Sequence, residues 1–271
     1  MESKNTQSLS LIYRLMRSYY GDATFKRKII LTLGGLSLLS LLYKFVRTFY
    51  YLTRDLLPKR NLIQRYGKGS YAVVTGATSG IGKSVAIRFG ELGFNVVLIS
   101  RTEEKLKETR EEILAQLPDI DVRYISADLS NISNEQVYEH IKKELEGLDV
   151  SILVNNVGLD CLDKFRDLKE DYILRLVNVN VHACTMMMRM MLNTFSTRTK
   201  RCAVINVGSF TSEVPMTYYA VYGATKAFVK YLTLALVRED PNVDYLCIKP
   251  SEVSTAMTHF KKEDIMTISP R

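Results

Sequence analysis

The amino-acid sequence predicts an α/β fold in which helices pack on both faces of a mostly parallel β-sheet. Three observations support this prediction: short apolar runs recur along the chain, a glycine-rich turn follows the first of them, and helical apolar spacing separates successive runs. This alternation indicates strands joined by helical crossovers, in a three-layer α/β sandwich with strand order 3-2-1-4-5-6. We expect strands near residues 71–75, 95–100, 122–127, 150–154, 202–207 and 243–249.

Charge divides the 271 residues into two regions. Residues 1–68 hold thirteen Lys and Arg against three acidic residues, and the remainder holds twenty-four against twenty-six, so the net charge of +8 comes from the first region. We therefore predict a basic N-terminal region over 1–68 and a nearly neutral folded domain over 69–271. A neutral surface disfavours a nucleic-acid partner for that domain. The four cysteines and three histidines are scattered, so neither a disulfide framework nor a metal site is expected.

An apolar segment over about residues 29–52 predicts a helical membrane anchor within the basic region. Residues 29–43 carry no charge, and as a helix they reach about 22 Å against a hydrocarbon core of about 30 Å. A tilted span and an interfacial anchor both fit, because Lys44 and Arg47 can place their charges at the interface. A helix buried against a partner is the alternative. Cationic residues flank both ends of the segment, so the sequence predicts no orientation.

A glycine-rich turn connects the first predicted strand to the helix that follows it. Gly76 permits a tight turn, Gly80 lets the backbone approach a pyrophosphate, and Gly82 allows the helix to pack closely on the strand. An ordinary strand-to-helix turn is the simpler interpretation, but the flanking strand and helix favour a dinucleotide site. Ser79 and Ile81 are expected to bind the cofactor in the same turn. The predicted fold is therefore a Rossmann-like doubly wound sheet.

The end of the second predicted strand indicates which dinucleotide binds. Ser100 and Arg101 stand where such a fold recognises the adenosine ribose. A carboxylate there would bind the free 2′-hydroxyl of NAD, whereas a hydroxyl followed by a guanidinium suits the 2′-phosphate of NADP. We therefore predict NADP(H), with a solvated arginine after a strand as the alternative for Arg101.

Three side chains predict carbonyl reduction. Tyr222 and Lys226 are four residues apart on one helix face, and Ser209 precedes Tyr222 by thirteen residues. A free tyrosine has a pKa of about 10, so proton exchange near neutrality requires a nearby cation that stabilises the phenolate. Hydride transfer to a carbonyl leaves negative charge on its oxygen, which a serine hydroxyl and a tyrosine proton can both meet. Alone, the pair is more often a packed ring beside a solvated ammonium.

Together these motifs resemble the short-chain dehydrogenase/reductase family, from about Tyr71 to Thr255. The resemblance implies that Tyr222 is the general acid and that Ser209 positions the carbonyl oxygen. It implies that Lys226 lowers the pKa of Tyr222 and holds the nicotinamide ribose, and that Asn180 supports a water leading to the lysine. The matching segments are Thr75 to Gly82, Asp128-Leu129, Asn155 to Gly158, Asn180, Ser209, Tyr222 to Lys226, and Pro250 to Thr255.

The same resemblance implies further contacts to the cofactor. Asp128 is expected to hydrogen-bond adenine, although a helix-capping aspartate is an equal alternative. Asn155 is expected to line the cofactor, and stabilisation of the sheet alone would also explain it. Pro250, Val253 and Thr255 are expected to contact the cofactor in the loop after the last strand.

Within the family, the chain resembles the branch of membrane-bound 17β-hydroxysteroid dehydrogenases and very-long-chain 3-oxoacyl-CoA reductases. This implies an NADPH-dependent reductase of a lipid carbonyl, at the endoplasmic reticulum with its domain in the cytosol. The mitochondrial membrane is the second choice, because residues 1–28 are basic like a presequence. The family also implies a homodimer through the helix bearing Tyr222 and the methionine-rich helix at residues 186–191.

The chain departs from the family pattern in three places. Ser251 replaces a glycine after Pro250, which is expected to stiffen that loop. Gly208 stands where a second serine is common, a change expected to have little consequence. The sequence ends at Arg271, before the family's substrate-loop helices and seventh strand. The competing hypothesis is a catalytically silent subunit of a membrane complex, since the N-terminal stretch from Asn61 to Gly67 resembles an inactive member that has lost the tyrosine.

Overall fold

A computed structural model describes residues 14–16, 18, 23–53, 61–130, 136–253 and 267–268. The chain divides into two compact units, residues 1–60 and 61–271. The first contains helix α1 (Ala23–Thr53). The second contains, in chain order, α2 (Leu62–Tyr66), β1 (Tyr71–Thr75), α3 (Gly80–Glu91), β2 (Asn95–Ser100), α4 (Glu103–Gln116), β3 (Val122–Ser126), α5 (Gln136–Glu144), β4 (Val150–Asn155), α6 (Glu170–Val177), α7 (Ala183–Phe195), β5 (Cys202–Val207), α8 (Ala220–Leu236), β6 (Val243–Ile248), β7 (Glu252–Val253) and β8 (Thr267–Ile268).

The six main strands form one parallel sheet in the order β3-β2-β1-β4-β5-β6, which confirms the predicted fold. Each predicted strand agrees with the observed one to within one residue at its end. β7 and β8 pair separately with each other.

Both faces of the sheet are buried, which explains why the strands read as continuous apolar runs. On one face Val73 and Leu153 pack in a cluster with Met187, Met188 and Met191 of α7. Ala72 and Val74 point to the other face, where they pack with residues of α3 and α4. Three of the methionines in the run at residues 186–191 therefore pack against the sheet.

Helix α1 is longer than the uncharged run predicted. Its Lys26–Tyr50 portion has 25 residues, is long and apolar enough to cross a membrane, and has none of its side chains buried. At 1.5 Å per residue it reaches about 38 Å, which exceeds a hydrocarbon core of about 30 Å. The helix continues beyond the uncharged run of residues 29–43 through the basic residues that flank it, so a membrane span stays one of the two predicted arrangements.

Candidate active site

The turn between β1 and α3 is closed by backbone and amide contacts. Gly76 and Gly80 adopt positive φ angles of 65° and 53°, which favour glycine. A Cβ on Gly82 would lie 2.3 Å from both the Gly76 carbonyl oxygen and Asn156 Nδ2, so only glycine fits. Asn156 Nδ2 donates to the carbonyl oxygens of Thr75 (3.0 Å) and Gly76 (3.1 Å). These contacts fix the amino end of α3 as a positive site for phosphate.

A groove runs along the carboxyl edge of the sheet from this turn. It brings together predicted cofactor-binding residues from the ends of three strands. Ser79 is exposed at the amino end of α3, and its side chain makes no capping hydrogen bond. The polar end of a helix, the close backbone approach and the groove fit a dinucleotide. The predicted residues lining the groove are Gly76, Ser79, Gly80, Ile81, Ser100, Arg101 and Asp128.

The end of the groove near β2 and β3 holds the residues predicted to bind the adenosine. Ser100 Oγ lies 3.3 Å from Thr78 Oγ1, and Arg101 is exposed. Among the described residues, Asp128 lies in a turn that follows β3. Its Oδ1 accepts a hydrogen bond from the Ser130 backbone N–H at 2.9 Å in a turn.

Charges at this end of the groove favour the ionised form of Asp128. Burial raises the pKa of Asp128, but the Ser130 hydrogen bonds and the charges of Arg101 and Arg175 outweigh it and leave the pKa below its ordinary value. Arg175, an exposed residue of α6, also lines the groove. Sequence reasoning missed Arg175 because no local pattern brings α6 to the ends of β2 and β3.

Asn180 lies in a π-helical segment, Asn178–His182, between α6 and α7. Such a wide turn interrupts the regular helical bonding and is frequent at functional sites. The buried Asn180 side chain accepts a hydrogen bond from the Leu159 N–H and donates to the Leu159 carbonyl oxygen, both at 2.8 Å. It also donates to Thr225 Oγ1 at 3.0 Å. Asn180 therefore joins the loop after β4 to helix α8.

Ser209 and Tyr222 face each other from the loop after β5 and the first turn of α8. Ser209 is buried, and its Oγ accepts hydrogen bonds from the backbone N–H (3.2 Å) and the hydroxyl (3.0 Å) of Thr211. Burial raises the pKa of the Tyr222 phenol, and a side-chain hydrogen bond with Ser209 opposes the rise. The phenol therefore remains protonated at neutral pH, within reach of the serine hydroxyl.

Lys226 lies one helical turn beyond Tyr222 and is only 5 % exposed. Its Nζ donates to the Val207 carbonyl oxygen at 2.9 Å and lies 5.7 Å from the centroid of the Tyr222 ring. Burial lowers the pKa of Lys226. The pKa of Tyr222 is raised, because burial of the phenol outweighs the opposing hydrogen bond with Ser209. That Lys226 lowers this pKa stays a prediction.

Gly158, the glycine after β4, lies close to two polar side chains of the site. A Cβ on Gly158 would lie 3.4 Å from both Asn180 Oδ1 and Lys226 Nζ. Asn180 and Lys226 therefore lie beside Gly158, which lines the groove, and Tyr222, one helical turn before Lys226, is hydrogen-bonded to Ser209.

Other predicted cofactor contacts lie elsewhere. The Asn155 side chain is buried away from the groove, where its Nδ2 donates to Asn206 Oδ1 at 2.9 Å, and the adjacent Asn156 lines the groove in its place. This corrects the side-chain assignment, because residues 155 and 156 point to opposite sides of the strand end. Pro250 accepts a hydrogen bond from the Phe210 N–H (2.9 Å) and so supports the loop of Ser209. Val253 is buried in β7, and Thr255 lies outside the described residues.

The short chain dehydrogenase family profile matches residues 70–265. "Putative steroid dehydrogenase 4" of Caenorhabditis elegans is 38% identical over 68% of this chain and 72% of its own length. The very-long-chain 3-oxooacyl-coA reductase let-767 of Caenorhabditis briggsae is 36% identical over 78% of this chain and 68% of its own. The very-long-chain 3-oxoacyl-CoA reductase of Coccidioides immitis is 31% identical over 92% of this chain and 71% of its own length.

Solved structures give the same result. A short-chain dehydrogenase from Sphingobium yanoikuyae in complex with NADPH has a TM-score of 0.66 and 26% identity, and the match covers 73% of this chain and 79% of that one. A 7beta-hydroxysteroid dehydrogenase has a TM-score of 0.69 and 26% identity, and the match covers 78% of this chain and 83% of that one. The relatives in sequence fall in the predicted branch of steroid dehydrogenases and very-long-chain reductases. The chain thus belongs to the short-chain dehydrogenase/reductase family, as predicted, and is an oxidoreductase that uses a nicotinamide nucleotide.

Proposed function

We propose that this enzyme reduces the carbonyl group of a lipid, a 3-oxoacyl-CoA or a 17-ketosteroid, with NADPH. The observation that carries the proposal is the proximity of Tyr222 to Ser209 and Lys226, with Lys226 beside Gly158 of a groove that fits a dinucleotide. Function is argued from the site, because the fold alone hosts many chemistries.

The adenosine end of the groove supports NADPH as the cofactor. Ser100 and the exposed Arg101 lie at the end of β2, where a 2′-phosphate would meet a hydroxyl and a guanidinium. The carboxylate of Asp128 lies one strand further and is balanced by Arg101 and Arg175. Similar solved structures contain NADPH, as in the Sphingobium enzyme.

Each side chain of the site has a distinct role in the proposed reaction. When bound in the groove, a reduced nicotinamide nucleotide would supply the hydride for the carbonyl carbon. Tyr222 donates its phenolic proton to the carbonyl oxygen, and the Ser209 hydroxyl orients that oxygen. Lys226 donates to the Val207 carbonyl oxygen, and by the family resemblance it would hold the nicotinamide ribose. Asn180 holds the loop that borders the reacting groups.

The surroundings of Ser209 and Tyr222 support an apolar substrate. Two loops carry exposed large apolar side chains beside them, and a hydrogen bond from the Asp163 N–H to the Tyr218 carbonyl oxygen (3.1 Å) joins these loops. Exposed apolar surface of this kind marks sites that bind apolar partners or ligands. Relatives are named as very-long-chain reductases and steroid dehydrogenases. The six side chains are Leu162, Phe165, Phe210, Val214, Met216 and Tyr218.

We propose that residues 1–68 attach a catalytic domain at 69–271 to a membrane. Helix α1 supports this proposal by its length and apolar composition, although a signal sequence near the N-terminus would meet the same criteria. The endoplasmic reticulum is the favoured compartment, and the mitochondrial membrane is the alternative. Imaging the full-length tagged protein against markers of both organelles tests this choice. Recovery of the protein in the soluble fraction would contradict membrane attachment.

A homodimer is the proposed assembly. Helix α8 exposes Phe228 (42%), Tyr231 (77%) and Leu234 (58%), an apolar surface that a second subunit would cover. Light scattering of the purified protein in detergent is expected to give the mass of a dimer, and a monomer would contradict this assembly.

An activity panel on membrane-reconstituted protein tests the function. NADPH oxidation is measured with 3-oxoacyl-CoA thioesters of increasing length and with 17-ketosteroids, and NADPH binding is measured in parallel. Oxidation with at least one lipid ketone is the expected result. Binding of NADPH without oxidation across the panel would favour the catalytically silent subunit of a membrane complex. Absence of both would contradict the proposal and leave only the fold.

A further inference from the structure

Thr225 links two parts of the candidate active site that are far apart in sequence. It lies on α8 between Tyr222 and Lys226, and it is only 4 % exposed. Its Oγ1 accepts a hydrogen bond from Asn180 Nδ2 at 3.0 Å and donates to the Tyr222 carbonyl oxygen at 2.7 Å. A buried hydroxyl that accepts from one element and donates to another constrains both.

Asn180, the hydrogen-bond donor to Thr225, also uses its side-chain amide to bind Leu159. The Asn180 amide holds the N–H and the carbonyl oxygen of Leu159 at 2.8 Å each, so its second N–H has Thr225 as its acceptor. Leu159 lines the groove beside Gly158. The hydrogen bonds therefore run from the groove wall through Asn180 and Thr225 to the backbone of Tyr222.

Removal of the Thr225 hydroxyl would disturb both ends of this connection. The freed Asn180 N–H would be buried without an acceptor, which is costly, and the amide would be driven to reorient. Reorientation would release Leu159 from its two hydrogen bonds and would leave the first turn of α8 with one fewer constraint. Misplacement of a catalytic group by a small distance lowers the rate of the chemical step more than it lowers binding.

We propose that Thr225 is a positioning residue that holds the Tyr222 turn of α8 in register with the groove wall through Asn180. The proposal rests on the proposed function only for the role of Tyr222. Thr225 touches neither the substrate nor the reacting atoms, and it acts through Asn180 and the backbone of Tyr222.

Two substitutions separate the hydroxyl from the packing, because one removes the hydroxyl and the other removes the methyl group. T225V keeps the shape of the side chain and removes the hydroxyl, whereas T225S keeps the hydroxyl. In full-length enzyme, T225V is expected to lower kcat about tenfold, corresponding to one buried unsatisfied donor. T225S is expected to retain wild-type kcat, and both variants should bind NADPH with unchanged Kd. If T225V does not fold, T225A replaces it.

Hydrogen exchange at the Leu159 amide gives a readout that needs no turnover. This N–H donates to Asn180 Oδ1, so it should exchange faster in T225V than in wild type or T225S. Where the wild type is active, equal kcat in T225V and T225S would overturn the proposal. Where the wild type shows no turnover, the proposed function fails, and exchange alone decides the role of Thr225. Equal Leu159 exchange in all three proteins would then overturn it.

Discussion

Burial controls the protonation of the two titratable side chains at the centre of the site. It raises the pKa of the Tyr222 phenol and lowers the pKa of the Lys226 ammonium. Both shifts favour the neutral form. A phenol that keeps its proton at neutral pH is the state that a general acid requires for reduction. The reverse reaction, oxidation of an alcohol, would require the phenolate, which the burial of this site disfavours.

Arg101 is expected to select NADPH over NADH. R101A should lower kcat/KM for NADPH by about 10–100-fold, because one charge-assisted hydrogen bond to the 2′-phosphate is lost. The kcat/KM for NADH should stay nearly constant, because NADH lacks that phosphate. Steady-state kinetics with both nucleotides measure the effect. R88A, which removes an exposed arginine from α3, is the matched control. An equal loss of kcat/KM with both nucleotides would show that Arg101 does not bind the 2′-phosphate.

Gly208 has a packing role that the sequence comparison underestimated. A Cβ at this position would lie 2.9 Å from Cys247 Sγ and 3.1 Å from the Ile248 carbonyl oxygen. The serine that the family resemblance implies at this position therefore does not fit beside Cys247 without a shift. Gly208 and Cys247 form a matched pair across β5 and β6.

This pairing predicts a coupled stability effect. G208S should lower the free energy of unfolding by about 1–3 kcal/mol through overpacking. The G208S/C247A double variant should recover part of the loss, because the sulfur is removed, while contact with the Ile248 carbonyl oxygen remains. Thermal unfolding of the four proteins of this mutant cycle gives the coupling. Additive effects of the two substitutions would show that they act independently.

At the scale of elements, a carboxylate of β6 adds a polar contact to the apolar packing of α2 against the sheet domain. Asp244 of β6 accepts hydrogen bonds from Arg65 Nε and Nη2 (2.7 Å each), Tyr66 Oη (2.9 Å) and Arg201 Nη2 (2.7 Å). Burial raises the pKa of Asp244, but these hydrogen bonds outweigh it and hold the pKa well below its ordinary value. A five-residue helix is unstable alone, so this contact stabilises α2.

D244N should therefore destabilise the protein and weaken its response to acid. The folded pKa is lower than the unfolded value of about 3.9, so the stabilisation is full above that value and is lost as the pH falls. At neutral pH we expect D244N to have a free energy of unfolding about 1–2 kcal/mol below that of the wild type. Partial exposure of the site keeps this difference small. Unfolding measured from pH 7 to pH 3 tests this. If D244N loses as much stability between pH 7 and pH 3 as the wild type does, other carboxylates cause the acid-dependent loss.

The main strands and two other elements differ in how far the sequence predicts them. Strands such as β1 and β4 are predictable because both faces are buried, so nearly every residue is apolar. Helix α2 is not, since it depends on Asp244, 178 residues from Tyr66. The π-helical segment at Asn180 is also invisible to periodicity, because the bonds to Leu159 and Thr225 fix it.

For the whole molecule, the site is predictable where its chemistry is local. The Gly76 to Gly82 turn and the Tyr222–Lys226 pair each lie within one or two elements, so their spacing carries the signal. Arg175 and Asn156 enter the groove through tertiary structure, and no spacing predicts that. Protonation states are similarly tertiary properties, because burial of Tyr222 and Lys226 depends on the assembled sheet and helices.

The central claim is that Tyr222 delivers the proton to a substrate carbonyl beside bound NADPH. Y222F removes the phenolic hydroxyl and leaves the ring, and Y231F, which changes an exposed tyrosine of the same helix, is the control. In full-length reconstituted enzyme, Y222F should lower kcat by about 100-fold or more while the Kd for NADPH stays the same. Y231F should retain wild-type kcat. A Y222F enzyme that reduces its lipid ketone at the wild-type rate would contradict the claim.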